Sequence, residues 1–317
     1  MWNAPHQRHQ DMMARWLQIS LLVQVLIGLA AAVWWYWGGS WPHMLLIPVV
    51  LLPLTLQLGI LWFDFILSAR AASQADLMLS LPLTQLLPIL ARETWSSCKA
   101  CWWAVPFKSR FVEKTPIAPV QPVSVLLVHG MACNRGIWVT LQPLLARRGF
   151  LTRTVTLEPP LASLDDYADT INIAVQRLLA DQPNQPVAII AHSMGGLAVR
   201  AYFRQFGDMP IAKVVTIATP HQGTYHAQFS RGINLEQMRL KSHWLAELAA
   251  SESTRRRAKF VCMYSRHDNL IAPYPNAILP GSRAIEFEYI GHLTMLDDSE
   301  VRHLLLRELE RIKDTPQ

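Results

Sequence analysis

Three residues in the second half of the chain have the types and the order that acyl transfer to a side chain needs: Ser193, Asp268 and His292. A serine hydroxyl is a weak nucleophile until a base takes its proton, and a neutral imidazole is the base most often used near neutral pH. The imidazole in turn needs a carboxylate to hold its tautomer and stabilise the imidazolium that forms. Ser193 lies in "VAIIAHSMGGLAVRAYF", residues 187–203, where an apolar run meets His-Ser-Met-Gly-Gly and then a helix-like stretch. Strand, sharp turn and helix in that order present a serine at a strained, accessible corner. The usual pattern is G-x-S-x-G; here Ala191 stands first, His192 second and Gly195 last. Alanine adds one methyl where the turn needs a small residue, and Gly195 keeps the point where helix and strand pack closest. A match of this kind is weak alone, since an ordinary tight turn carries the same residues. The neighbouring elements decide.

Asp268, in "YSRHDNLIAP", follows the strand candidate 260–264 by four residues, and His292, in "YIGHLTML", comes just after the candidate 284–290. Asp297, Asp298 and Glu288 are the fallback acids. Among the other histidines, His192 sits within the turn and is expected to point away from the base site. His221 and His226 open a long insertion, His267 neighbours the acid, and His303 lies on the last helix. A developing oxyanion needs backbone N–H donors, each worth ~2.7–4 kcal/mol in comparable enzymes. Met194, at a helix start just after the serine, supplies one. The loop "HGM" (129–131) places Met131 for the other, unless His129-Gly130 is a plain turn.

From residue 123 onward, apolar strand candidates alternate with helices: strands at 123–128, 150–157, 187–190, 214–218, 260–264 and 284–290, helices at 163–182, 194–206 and 299–313. That alternation argues for an α/β fold, a mainly parallel sheet flanked by helices. Ser163 is the expected cap of the first helix. Residues 221–257 interrupt the pattern with a short apolar series (Leu235, Met238, Leu245, Leu248), read as a lid-like insertion or pocket wall, or as a structural helix pair. Arg255, Arg256, Arg257 and Lys259 read as a solvated edge or as a contact with anionic head groups.

"LLVHGM" (126–131), "AHSMGGLAVR" (191–200), "IATPHQGT" (217–224), the Asp268 loop and "GH" (291–292) occur in an order that resembles the bacterial lipase and esterase branch of the α/β-hydrolase superfamily. The resemblance covers residues 123–315, and small bacterial lipases of that superfamily also carry alanine at the first position of the turn. It implies an α/β-hydrolase fold, a Ser193–Asp268–His292 triad and an oxyanion hole formed by Met131 and Met194.

The first third of the chain lies outside that resemblance. Residues 16–37 contain no charge, and residues 44–67 contain only Asp64. Each run exceeds the ~20 residues that cross a bilayer core, which predicts a membrane anchor of two helices over residues 1–70. Trp34, Trp35, Tyr36, Trp37 and Trp41 cluster as an interfacial aromatic belt, and Pro48 and Pro53 are expected to kink the second helix. A cleaved signal peptide and two buried soluble helices are the rival readings. Arg8 and Arg15 precede the first run, and Arg70, Arg92, Lys99, Lys108 and Arg110 follow the second, while "GGSWPH" between them has no lysine or arginine. Positive residues stay inside. Both ends, and with them the catalytic domain, are therefore expected on the cytoplasmic side of a bacterial inner membrane. Residues 71–122 form an interfacial segment and linker; 76–107 read as a docking piece that shields the site mouth or as a helical linker, and 112–122 as a proline-rich boundary.

The whole chain has 317 residues, 51% of them hydrophobic and 16% charged, with net charge +6. That balance suits an anionic membrane surface, and no motif points to nucleic acid. Four cysteines give no disulfide framework at this length, and Cys98 and Cys101 form a C-x-x-C without a redox or zinc context. No metal or cofactor is required. The expected function is hydrolysis of a carboxylic ester, with an acyl ester or lipid as substrate and membrane lipids as surroundings. Thioester hydrolysis or acyl transfer by the same triad, and a non-catalytic membrane scaffold, remain the alternatives.

Overall fold

Six short apolar runs pair into one sheet: β1 (Ser124–Val128), β2 (Thr152–Thr154), β3 (Val187–His192), β4 (Ile211–Ile217), β5 (Phe260–Ser265) and β6 (Arg283–Phe287). Their order is β2-β1-β3-β4-β5-β6 and every pair is parallel. The computed structural model describes residues 12–37, 46–75, 81–116, 120–183 and 185–314. The helices are α1 (Met12–Trp37), α2 (Leu46–Gln74), α3 (Leu83–Lys99), α4 (Leu141–Arg147), α5 (Asp166–Asp181), α6 (Met194–Phe206), α7 (His243–Ala250) and α8 (Ser299–Glu310), with shorter turns between them.

Every residue of β1, β3 and β5 is buried, because helices cover both faces of a parallel sheet. Side chains alternate between those faces. Leu126, Val128, Ile189, Ala191 and Val214 pack with Tyr167, Ile171 and Val175 of α5 and Leu197 and Ala201 of α6. Val125, Leu127, Ala188, Ile190 and Val215 pack with Leu141 and Leu145 of α4 and Val301, Leu305 and Leu309 of α8. The sheet and its flanking helices form the α/β-hydrolase fold.

Several boundaries differ from the sequence reading: β3 runs on to His192, β4 begins at Ile211, β6 stops at Phe287, the last helix stops at Glu310, and two further differences have a visible cause. β2 spans three residues, not eight, because it is an edge strand paired only with Val125–Leu127. α5 begins at Asp166 rather than Ser163. Ser163 shapes the turn before it: its hydroxyl accepts the Asp165 N–H at 3.2 Å, while its own N–H donates to the Asp166 carboxylate at 3.2 Å.

α1 and α2 pack along one another. Both are long and apolar enough to cross a membrane. Ile19, Leu22, Leu26 and Ile27 of α1 and Ile60 and Phe63 of α2 are each more than half exposed. The start of α1 touches the α/β fold, with Met13 N–H donating to Glu158 at 3.3 Å. So does the latter part of α2, where the Asp64 carbonyl accepts from His226 Nε2 at 3.1 Å. The pair is a hairpin whose open end rests on the α/β fold. α2 is helical through Pro53. Trp34 and Trp37 project at the far end of α1, whereas Trp41, the "GGSWPH" turn and the side chains of Trp35 and Pro48 lie outside the described residues.

The described part of the segment after the hairpin packs on the α/β fold. α3 runs into a π-helical turn, Ala100–Ala104, that lets the chain pack closely before Val105–Phe107. Arg92 pairs with Asp298 and Lys99 with Asp297. Gln57 of α2 donates to Ser97 at 2.7 Å, and Asn134 donates to the Val105 carbonyl at 2.9 Å.

Candidate active site

Three strand ends at one edge of the sheet carry the residues singled out above. Ser193 follows β3 directly with φ 54° and ψ −130°, a backbone conformation that costs a non-glycine residue of order 1–3 kcal/mol. The fold holds it there: Ser193 N–H donates to the Ile217 carbonyl at 2.8 Å, and its carbonyl accepts from Thr219 Oγ1 at 2.8 Å. Gly195 allows the approach, since a Cβ there would stand 2.5 Å from the His129 carbonyl oxygen. Ala191 is fully buried at the end of β3, so the substituted first position is simply core.

The loop after β1 closes on this turn. A Cβ on Gly130 would come within 2.7 Å of Ser193 Cβ. His129 braces the loop: its Nε2 accepts the Leu157 N–H at 2.8 Å, so Nδ1 carries the proton and donates to the Gly130 carbonyl at 2.7 Å. Burial pushes the His129 pKa down to about 4, which keeps this brace neutral. Met131 follows at the partly exposed edge, and Met194 opens α6, where first-turn N–H groups lack intrahelical acceptors.

Asp268 and His292 are both buried and hydrogen-bonded to one another, His292 Nδ1 lying 3.1 Å from Asp268 Oδ1 and 3.0 Å from Oδ2. A carboxylate only accepts, so Nδ1 carries the proton and Nε2 is left as the lone-pair nitrogen. Asp268 Oδ1 also accepts the N–H groups of Leu270 and Ile271 at 2.8 and 2.9 Å, and His292 N–H donates to Asn269 Oδ1 at 3.0 Å. Burial lowers the affinity of His292 for a proton, yet the charge and hydrogen bond of Asp268, with Glu93 and Asp64 behind it, outweigh that and raise its pKa.

His192 corrects an expectation. Its ring does not point away from the base site: the centroid lies 4.7 Å from that of His292, and Nε2 donates to the His292 carbonyl at 3.4 Å. Strand alternation is the reason. His192 continues the Ala188–Ile190 face, against which Ile290 and Met295, the neighbours of His292, also pack. Burial lowers its pKa well below the usual value, and His292 and His129 lower it further.

A model of the Alpha/beta hydrolase family matches residues 125–304, more than half of the chain and all of the strand ends just described. The chain belongs to that family. Among solved structures, the hydrolase is similar to Bacillus licheniformis lipase BlEst2 in its mature form, with 13% identity and a TM-score of 0.56 over 63% of this chain and 97% of that one. It is also similar to Aspergillus fumigatus lipase B, with 15% identity and a TM-score of 0.51 over 59% of this chain and 52% of that one. At such identities the likeness is one of fold. No curated protein sequence matches the hydrolase.

The fallback acids are engaged elsewhere: Asp297 with Lys99 and Arg302, Asp298 with Arg92, and Glu288 with Arg266. Of the remaining histidines, His221 bonds Thr216, His267 stacks on Tyr289 and His226 meets Asp64. Leu235, Met238, Leu245 and Leu248 of the insertion are buried, the first three in the core beside α5 and α6. Arg256 and Lys259 pair with Asp208, and Arg257 with Glu252. All four cysteines are free thiols, and no cluster of metal-ligating side chains occurs among the described residues. The sequence reading missed two carboxylates near His292: Asp64 of α2 and Glu93 of α3. Their one signal was isolation, each being an acid within an apolar stretch.

Proposed function

We propose that this hydrolase is a membrane-anchored serine esterase acting on carboxylic esters with lipid-like acyl groups. The observation that carries the reading is the buried Asp268–His292 pair, whose imidazole packs on His192, the residue that leads into the strained Ser193 turn. Ser193 Oγ attacks the ester carbonyl while His292 Nε2 takes its proton. The tetrahedral oxyanion receives the N–H groups of Met194 and Met131. As the intermediate collapses, His292 returns the proton to the leaving alkoxide, which departs as the alcohol and leaves Ser193 acylated. Water, deprotonated by His292, then attacks the acyl carbon, and the carboxylic acid leaves as Ser193 regains its proton.

The lipid-like substrate follows from placement. The open end of an apolar hairpin rests on the insertion at His226, and Met131, Leu161, Phe229 and Ile233 add exposed apolar surface to the catalytic domain. Positive residues flank the open end of the hairpin and none lies in its connecting turn, which favours the catalytic domain on the cytoplasmic face of a bacterial inner membrane. A fluorophosphonate probe should label the detergent-solubilised full chain, and Ser193→Ala should abolish the label. Failure of the folded wild type to react would falsify the catalytic reading. A panel of p-nitrophenyl esters and acyl-CoA thioesters then reads the substrate class, with preference for medium or long acyl esters expected.

A further inference from the structure

We infer that Glu93, contributed by α3 from outside the region that matches the hydrolase family, is a positioning residue that clamps the backbone on both sides of His292. The inference rests on His292 being the catalytic base. Glu93 is 1% exposed. Its Oε1 accepts the Leu293 N–H at 2.8 Å; its Oε2 accepts the Thr294 N–H at 2.9 Å and the Thr294 hydroxyl at 2.7 Å. All three donors belong to the two residues that follow the histidine. On its other side stands Gly291, where a Cβ would lie 2.4 Å from Glu93 Oε2, so the carboxylate fills the space that a larger residue before His292 would need.

Burying a carboxylate is costly unless donors satisfy it. Helix α3 does not need Glu93 to find this loop, because Arg92, Ser96 and Lys99 already hold it to Asp297 and Asp298. What Glu93 adds is a fixed path for residues 291–294. It also adds a charge. The groups facing His292 are Asp268 across its ring, Asp64 from α2, Glu93 from α3, His192 at the Ser193 turn and His226 from the insertion. Burial depresses the pKa values of both neighbouring histidines, so the charges around the base are carboxylates. Burial raises the Glu93 pKa, against which the Leu293 and Thr294 donors favour the charged form.

The test compares full-length wild type, Glu93→Gln, Glu93→Asp, Thr294→Val and Ser193→Ala in detergent, with p-nitrophenyl butyrate as substrate across pH. Glu93→Gln should lower kcat at least tenfold, toward the ~100-fold that a misplacement of about 1 Å costs, with KM changed little. Its acid limb should move to lower pH, since one carboxylate no longer favours the imidazolium. Glu93→Asp should lose kcat but keep the acid limb in place, because the charge remains. Thr294→Val removes only one donor and should lose several-fold in kcat. A folded Glu93→Gln with wild-type kcat and an unmoved acid limb overturns the inference. If that variant does not fold, a wild-type Thr294→Val overturns it instead. Ser193→Ala separates the two levels: activity surviving there sinks the triad itself, whereas a dead Ser193→Ala beside a wild-type Glu93→Gln sinks only the role of Glu93.

Discussion

His292 sits among carboxylates and neutral imidazoles, and that company sets when it can act as a base. Its raised pKa means that the imidazole still holds its proton at pH values where an ordinary histidine is neutral. A base must be unprotonated to accept the serine proton, so activity should rise with pH through an apparent pKa above 6.5 in the kcat/KM profile. An acid limb at or below 6.5 would contradict the electrostatic account of the site. Asp268→Asn removes the main charge that favours the imidazolium and permits the wrong tautomer. Its acid limb should move to lower pH, and kcat should fall by ~10⁴. Both effects are read in one pH–rate series on a soluble p-nitrophenyl ester.

At the scale of elements, the insertion is tied to α6 by a buried ion pair. Arg200 donates to Glu252 through Nε at 2.6 Å and Nη2 at 2.9 Å, with both side chains almost wholly buried, and Nη1 donates to the His221 carbonyl at 2.7 Å. Removing one partner strands a buried charge, so Glu252→Ala should cost about 3–5 kcal/mol, seen as a lower denaturant midpoint. The double change Arg200→Met with Glu252→Leu removes both charges and should recover much of that loss. Failure to recover would show that the pair, with the contacts Arg257 and the His221 carbonyl make to it, is strongly stabilising. The same elements show what a sequence makes legible. The strands stood out because those buried on both faces of a parallel sheet read as short continuous apolar runs, and Ser193, Asp268 and His292 could be singled out as candidates because each follows one of those strands. Edges were not: β2 stops where its single neighbour stops, and α5 waits for Asp166 because Ser163 is occupied with its own turn. His192 was misplaced because the sharp turn was weighed above the strand alternation that in fact steers its ring. Glu93 was beyond reach, since its partners lie about two hundred positions away.

At the scale of the whole molecule, the hairpin exposes large apolar side chains that no other described residue covers, as the proposed membrane anchor requires. Leu26, near the middle of α1, is 54% exposed. Arginine at the centre of a spanning helix costs about 2.5–3.5 kcal/mol on insertion scales. Leu26→Arg should therefore shift the protein out of the carbonate-washed membrane fraction; unchanged fractionation would point to a soluble docking role for the hairpin. Orientation is tested separately. A reporter joined after Gln317 should be active only in the cytoplasm, and periplasmic activity would reverse the topology.

The reach of Glu93 has a consequence for how the protein is made. Its donors are 200 and 201 residues further along the chain. Synthesis delivers α3 well ahead of the histidine loop. The clamp therefore stays open until Leu293 and Thr294 have been added. A nascent chain halted before residue 290 carries Ser193 but neither His292 nor a closed clamp. On the proposed function, a chain of that length has no hydrolytic activity.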